Sequence, residues 1–172
     1  TSLPETNFRK ENMREKIRSL VPRDSPVDLS SNTLGNPSDS VGGEWTREGD
    51  VGITMHAGRA PDGGGNAQQL VMAADGLVYQ TSNRSARAGE RFRAGVWLWS
   101  DDPMTVSLEV GRHGGKEVYE GNRVSVRLET TPQYSEVSTM FRRAHPSARI
   151  LLRNRTGAEI SFYARDARLF EE

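Results

Sequence analysis

The sequence has no cysteine, which excludes disulfides, thiolate metal sites and a cysteine nucleophile. Apolar residues make up only 34% of its 172 residues, and 23 basic residues balance 23 acidic ones. A neutral chain lacks the basic excess of a nucleic-acid-binding domain. No apolar run is long enough to span a membrane, so we expect no membrane insertion. There is no signal peptide and the first residue is Thr1, which predicts a part of a larger multidomain protein.

The first 31 residues differ from the rest of the chain. Within 11–21 the apolar side chains recur at helical spacing and form one narrow stripe. Pro22 and Pro26 follow and end this pattern. We therefore predict a short N-terminal helix and a linker over residues 1–31, and a separate domain over residues 32–172.

Residues 32–172 carry short stretches of period-two alternation separated by polar turn signals. Predicted strands lie at 69–73, 91–100, 104–111, 123–129, 135–142, 148–153 and 160–170. The 17 glycines also suit a fold with many turns, and we interpret His113 and the segment 120–122 as turns. The fold class predicted is all-β, a two-sheet antiparallel sandwich.

The strand 91–100 separates two sets of side chains on opposite faces. The apolar set is Phe92, Ala94, Val96 and Leu98, and the other set is Arg93, Gly95, Trp97 and Trp99. A buried, unpaired Arg93 would be costly, so we predict that Trp97 and Trp99 lie on a partly exposed face. An indole can stack on the C–H face of a sugar while planar polar groups bind its hydroxyls.

Several short motifs resemble carbohydrate-binding modules of the family 4, 9 and 22 type, in the family's order. They are 32–39 followed by Glu44-Trp45, then 61–70, 78–80, 88–98, 134–141 and 162–169. The resemblance covers about residues 30–170. It implies a galactose-binding-like β-jelly roll of two sheets that binds polysaccharide or oligosaccharide without catalysis.

Further ligand-binding candidates accompany Trp97, Trp99 and Arg93. Glu109 lies opposite the apolar set of its strand and is a candidate hydroxyl ligand. Tyr119 and Arg127 either line the same groove as Trp99 or are ordinary exposed residues of their strand. Gln80 matches a frequent family position and bonds either backbone or ligand, whereas the Trp45 position is often core.

The resemblance also implies a structural calcium, because many such modules hold one between an early acidic ligand and the closing aspartate. Asp166 and Asp39 are the candidate ligands. Calcium takes about six to eight oxygens, so these two residues alone do not define a site.

We find no catalytic constellation in the sequence. The three histidines, His56, His113 and His145, are far apart and match no metal or nucleophile motif. The function predicted is a non-catalytic carbohydrate-binding module, extracellular, at the cell surface or periplasmic, that targets an attached protein to a polysaccharide. The alternative is a structural jelly-roll domain of a phage tail fibre or cell-envelope assembly, since one fold hosts many functions. The glycan, and whether it binds the concave face or the loop end, stay open.

Overall fold

The structure, a computed structural model, describes residues 45–56, 67–82, 84–114 and 116–172. Ten strands lie within these ranges: β1 Thr46–Glu48, β2 Val51–His56, β3 Ala67–Met72, β4 Leu77–Thr81, β5 Arg91–Trp99, β6 Met104–Gly114, β7 Glu117–Leu128, β8 Gln133–Met140, β9 Arg149–Arg153 and β10 Ile160–Glu171. The helix predicted within residues 1–31 and the candidate ligand Asp39 lie outside the described residues.

The strands form two five-stranded antiparallel sheets. Sheet I has the order β2-β3-β10-β5-β8, and sheet II has the order β1-β4-β9-β6-β7. Every strand pair is antiparallel. The predicted all-β sandwich is therefore confirmed. In the part of the chain that the structure describes, no helix has the length and hydrophobicity of a membrane span.

The inner faces of the two sheets meet in one apolar core. The predicted set Phe92, Ala94, Val96 and Leu98 is fully buried there. Phe162 of β10 and Leu108 of β6 come from the two sheets and belong to the same core. Trp45 is also in it and donates Nε1–H to Gln68 Oε1 at 2.7 Å. Burial of this one face of each strand is the main favourable contribution to the fold.

The hairpin of β6 and β7 is longer than the sequence pattern predicted. Gly111 pairs with Gly121 in the middle of the ladder, so the turn predicted at 120–122 is wrong. A Cβ on Gly111, whose φ is 156°, would lie 2.2 Å from the Glu120 carbonyl oxygen. These glycines permit close approach of two backbones rather than a change of chain direction.

A bulge interrupts β10 at Asp166. This residue has a φ of 52°, and the pairing with β5 shifts register between Arg165 and Arg168. Arg165 and Arg168 therefore both point to the outer face of sheet I, although three positions separate them. The extra residue lets Leu169 return to the core.

Asn154 ties the end of β9 to two neighbouring segments. Its side chain is fully buried, and Nδ2 donates to the carbonyl oxygens of Met72, Ala73 and Ala158 at 2.6–3.1 Å. Its Oδ1 accepts bonds from the backbone N–H and the hydroxyl of Thr156. One side chain thus satisfies backbone groups that water does not reach.

We predict that Asn154→Ala lowers the free energy of unfolding by about 2–4 kcal/mol, because it leaves buried carbonyls without donors. The control is Asn122→Ala, which removes an exposed asparagine that donates one bond to the Ser138 carbonyl. Urea denaturation at neutral pH measures both. Equal losses in the two variants would contradict the role given to Asn154.

Candidate functional site

The outer face of sheet I carries the tryptophan pair. Trp97 and Trp99 lie opposite the core, as predicted, but they are only 7% and 2% exposed. Trp99 stacks on Tyr163 with ring centroids 5.5 Å apart, and Trp97 packs on Tyr134 at 5.6 Å. The prediction of a partly exposed pair is therefore wrong, and the indoles belong to a second buried cluster.

Arginines extend this cluster across sheet I. The Arg165 guanidinium lies 4.8 Å from the Trp97 ring centroid, and that of Arg168 lies 5.5 Å from the Tyr134 ring. Arg93 Nη2 lies 2.8 Å from Glu172 Oε1, and its Nη1 lies 3.5 Å from Glu136 Oε2. Arg93 is thus paired, and its carboxylates come from residues 43 and 79 positions away in the chain.

Glu109 is the centre of the outer face of sheet II. It is 1% exposed. Its carboxylate accepts bonds from Ser107 Oγ at 2.8 Å and from Arg155 Nε and Nη2 at 2.9 and 3.3 Å. Burial opposes its charge, but the His113 ring beside it and the hydrogen bonds from Arg155 and Ser107 outweigh burial and lower the pKa of Glu109 from 4.5 to about 2. Glu109 is therefore an ionised, held group rather than a solvated strand residue.

His113 completes this cluster. It lies within β6, is 2% exposed, and places Nε2 3.5 Å from Glu109 Oε1. The interpretation of His113 as a turn residue is wrong. Residues 109 and 113 share a face of the strand because they are separated by an even number of positions.

Two arginines of β9 lie beside Glu109 on the same face. The Arg149 guanidinium lies 4.0 Å over the Tyr79 ring and donates to the His113 carbonyl at 3.0 Å. Arg153 donates to the Lys116 carbonyl at 3.2 Å and lies 3.4 Å from Asp75 Oδ1. These contacts fix both side chains in place.

Strand β7 is an edge strand of sheet II, and three of its exposed side chains are candidates for contact with a ligand. Tyr119 is 59% exposed, and Arg123 and Arg127 are exposed as well. Arg123 is opposite Glu109 in the ladder, and Arg127 is opposite Thr105. Trp99 is in the other sheet, so the prediction that Tyr119 and Arg127 line one groove with it is wrong.

The remaining candidates are Gln80 and Asp166. Gln80 is 4% exposed and lies on the core side of β4, opposite Ile150. Asp166 Oδ2 lies 3.6 Å from Arg165 Nη1 at the bulge. Among the described ranges no three acidic or histidine side chains converge as a metal site, and calcium stays a prediction.

Solved structures with the same fold include a phage protein and two sugar-binding modules. The tailspike protein 4 enzymatically active domain of bacteriophage CBA120 matches with a TM-score of 0.61 and 14% identity, over 85% of this chain and 22% of that one. TmCBM61, solved with beta-1,4-galactotriose, matches with a TM-score of 0.54 and 19% identity, over 83% of this chain and all of that one. The CBM22-1 xylan-binding domain of Paenibacillus barcinonensis Xyn10C matches with a TM-score of 0.55 and 11% identity. The match covers 74% of this chain and 85% of that one.

The fold is thus a β-sandwich jelly roll, as the resemblance implied, and the two solved carbohydrate-binding modules share it. No protein-family model and no characterised sequence matches the chain. The chain spans 22% of the tailspike protein.

We predict that the ionised Glu109 gives the fold a distinct pH dependence. Its pKa in the folded state is below the ordinary value, so its contribution is complete above about pH 4.5 and is lost as the pH falls towards 2. Compared with Glu109→Gln, the native chain should be more stable at pH 7 by up to about 3 kcal/mol. The two curves should converge near pH 2.

Urea denaturation at a series of pH values measures this difference, and the other carboxylates cancel in the comparison. Parallel curves for the two proteins would mean that Glu109 is not held ionised by its neighbours.

Proposed function

We propose that this chain is a non-catalytic carbohydrate-binding module that binds a polysaccharide on the outer face of sheet II. It would hold an attached protein close to that polysaccharide, outside the cell, at the cell surface or in the periplasm. The observation that carries the proposal is the row of exposed side chains on β7, which flanks a fixed layer of polar groups on β6 and β9.

The side chains of β7 suit a sugar. Tyr119 lies on this strand, and its ring is large, exposed and able to stack on the apolar face of a pyranose. Arg127 and Arg123 present planar, forked donors on the same strand, which can bond two hydroxyl oxygens each. Glu109 and Arg155 hold each other in position beneath them. The face is preorganised, which lowers the entropy cost of binding a flexible polar ligand.

The jelly-roll fold supports the same proposal. Two of the similar structures are a module bound to galactotriose and a xylan-binding domain. Each fits this chain over most of its own length, so the whole described sandwich corresponds to one such module.

The buried groups of sheet I have a structural role in this proposal. Trp97 and Trp99 are covered and stacked, and Arg93 is neutralised by carboxylates. They stiffen the sheet rather than contact the sugar.

The state of Glu109 also supports a binding role over a catalytic one. A glycosidase needs a carboxylic acid with a raised pKa as proton donor, beside a second carboxylate. The pKa of Glu109 is lowered to about 2, and its nearest charged partner is Arg155. At neutral pH it has no proton to give.

A second candidate function is assembly, supported by exposed apolar residues along the adjoining edges of the two sheets. Val118, Val124 and Met140 are 43%, 38% and 54% exposed on β7 and β8, and such edges are common sites of protein contact. The tailspike likeness is in keeping with this function.

We predict that Tyr119→Ala weakens binding to the cognate polysaccharide at least about tenfold, because a stacking aromatic is a typical anchor residue. Affinity gel electrophoresis against a polysaccharide panel identifies the polymer, and calorimetry gives the Kd. Val71→Ala is the matched control, since Val71 is an exposed apolar residue on sheet I, and it should bind normally.

Trp97→Ala and Trp99→Ala belong in the same panel. Loss of affinity in a folded tryptophan variant, with Tyr119→Ala unaffected, would move the site to sheet I. No binding of the native chain to any glycan, together with concentration-dependent self-association in sedimentation, would favour assembly instead.

A further inference from the structure

The outer face of sheet II has an excess of positive charge that the composition does not predict. The chain as a whole is neutral, yet four arginines lie on β7 and β9 of this face: Arg123, Arg127, Arg149 and Arg153. On the described strands β6 and β9 the only carboxylate is that of Glu109. Charges of one sign on one face attract ligands of the opposite sign.

Glu109 does not offset this excess. It lies beneath the surface and is neutralised by Arg155 at 2.9 Å. The two acids of β7, Glu117 and Glu120, lie at the start of that strand. Glu120 contacts His145, with 2.8 Å between Glu120 Oε1 and His145 Nε2. The half of β7 from Arg123 to Leu128 is therefore purely cationic.

The four arginines fall into two kinds. Arg149 and Arg153 are held by Tyr79, Asp75 and backbone carbonyls, so they supply a fixed positive field. Arg123 and Arg127 make no ion pair with any residue that the structure describes, and both are exposed. Among the described residues, no acceptor takes up the donors of these two guanidinium groups, which are therefore directed to a ligand.

The spacing of the two exposed arginines suits a polymer. They are four residues apart on one face of an extended strand, a distance of roughly 13 Å. A short stretch of a sugar chain lying along β7 spans such a distance, and its acidic groups can meet both side chains. Each guanidinium can bind a carboxylate or a sulfate through two parallel hydrogen bonds.

We infer that the ligand of this face is an anionic polysaccharide, whose carboxylate or sulfate groups pair with Arg123 and Arg127. The inference rests on the proposed function, because it names the substrate class of the same site. The sugar ring contact at Tyr119 gives attachment, and the two arginines select for acidic chains over neutral ones.

The test compares charged and neutral polymers in matched pairs by affinity electrophoresis and calorimetry. Polygalacturonate is set against its carboxyl-reduced form, and dextran sulfate against dextran. The native chain should bind the charged member of at least one pair at least about tenfold more tightly. The pair that shows the preference distinguishes carboxylate from sulfate. Binding should weaken as salt is raised.

The variants locate the preference. Arg123→Gln and Arg127→Gln should each lower affinity for the charged polymer about fivefold, and the double variant should bind both members of the pair alike. Arg87→Gln is the matched control. It also removes one positive charge, but Arg87 lies in the turn before β5 of sheet I, with its side chain 82% exposed. Arg127→Lys keeps the charge without the fork, so it should retain the salt dependence and lose part of the affinity.

The outcomes separate the two proposals. Equal binding of both members of each pair, with Tyr119→Ala impaired, would overturn the acidic preference and leave the carbohydrate-binding function intact. An equal loss in Arg87→Gln would show attraction to net charge rather than to this face, and would also overturn the inference. Binding to no polysaccharide of either kind would overturn the proposed function itself.

Discussion

The whole molecule depends on the stacking of two sheets that are each only one strand layer thick. Each strand gives one face to the shared core, so most of its charged and polar groups lie on the other face. The outer faces of this domain thus hold its arginines, its buried glutamate and its aromatic pairs. The fold and the candidate site both follow from the alternation of side chains between the inner and the outer face of each strand.

The two outer faces differ in how they meet this requirement. On sheet I, the arginines stack on aromatic rings and pair with carboxylates, which makes a second buried layer. On sheet II, Arg155 and Ser107 bind the carboxylate of Glu109. The arginines of β7 have no such partners among the described residues. The outer face of sheet I is therefore covered and has a structural role, whereas the outer face of sheet II keeps hydrogen-bond donors that a ligand can use.

The fold was predictable from the sequence because alternation is a local signal. The residues that share the core face of β5 could be assigned from their spacing alone, and the two-sheet sandwich followed from the turns. Burial of the other face could not be assigned in this way. The partners that cover Trp99 and neutralise Arg93 are far along the chain, and no local pattern encodes them. Glu109 shows the same limit, since its guanidinium partner is 46 residues away.

The residues predicted to form one site lie in two different sheets, for a related reason. Trp99 lies on β5 and Tyr119 on β7, and the sequence alone does not indicate which sheet a strand joins. Some consecutive strands lie in the same sheet and others do not: β6 and β7 are both in sheet II, whereas β5 is in sheet I. Assignment of strands to sheets needs pairing, which is a long-range property of the chain.

The bulge at Asp166 has a consequence for how the closing strand is aligned with that of any other jelly roll. One additional residue in β10 inverts the in–out phase of everything after it, so a relative without the bulge presents its closing strand one position out of step. An alignment that counts residues from the preceding strand would then match core positions to surface positions in the part of β10 that follows the bulge. Deletion of this single residue would move Leu169 from the core to the outer face, unless a second change of length restored the phase.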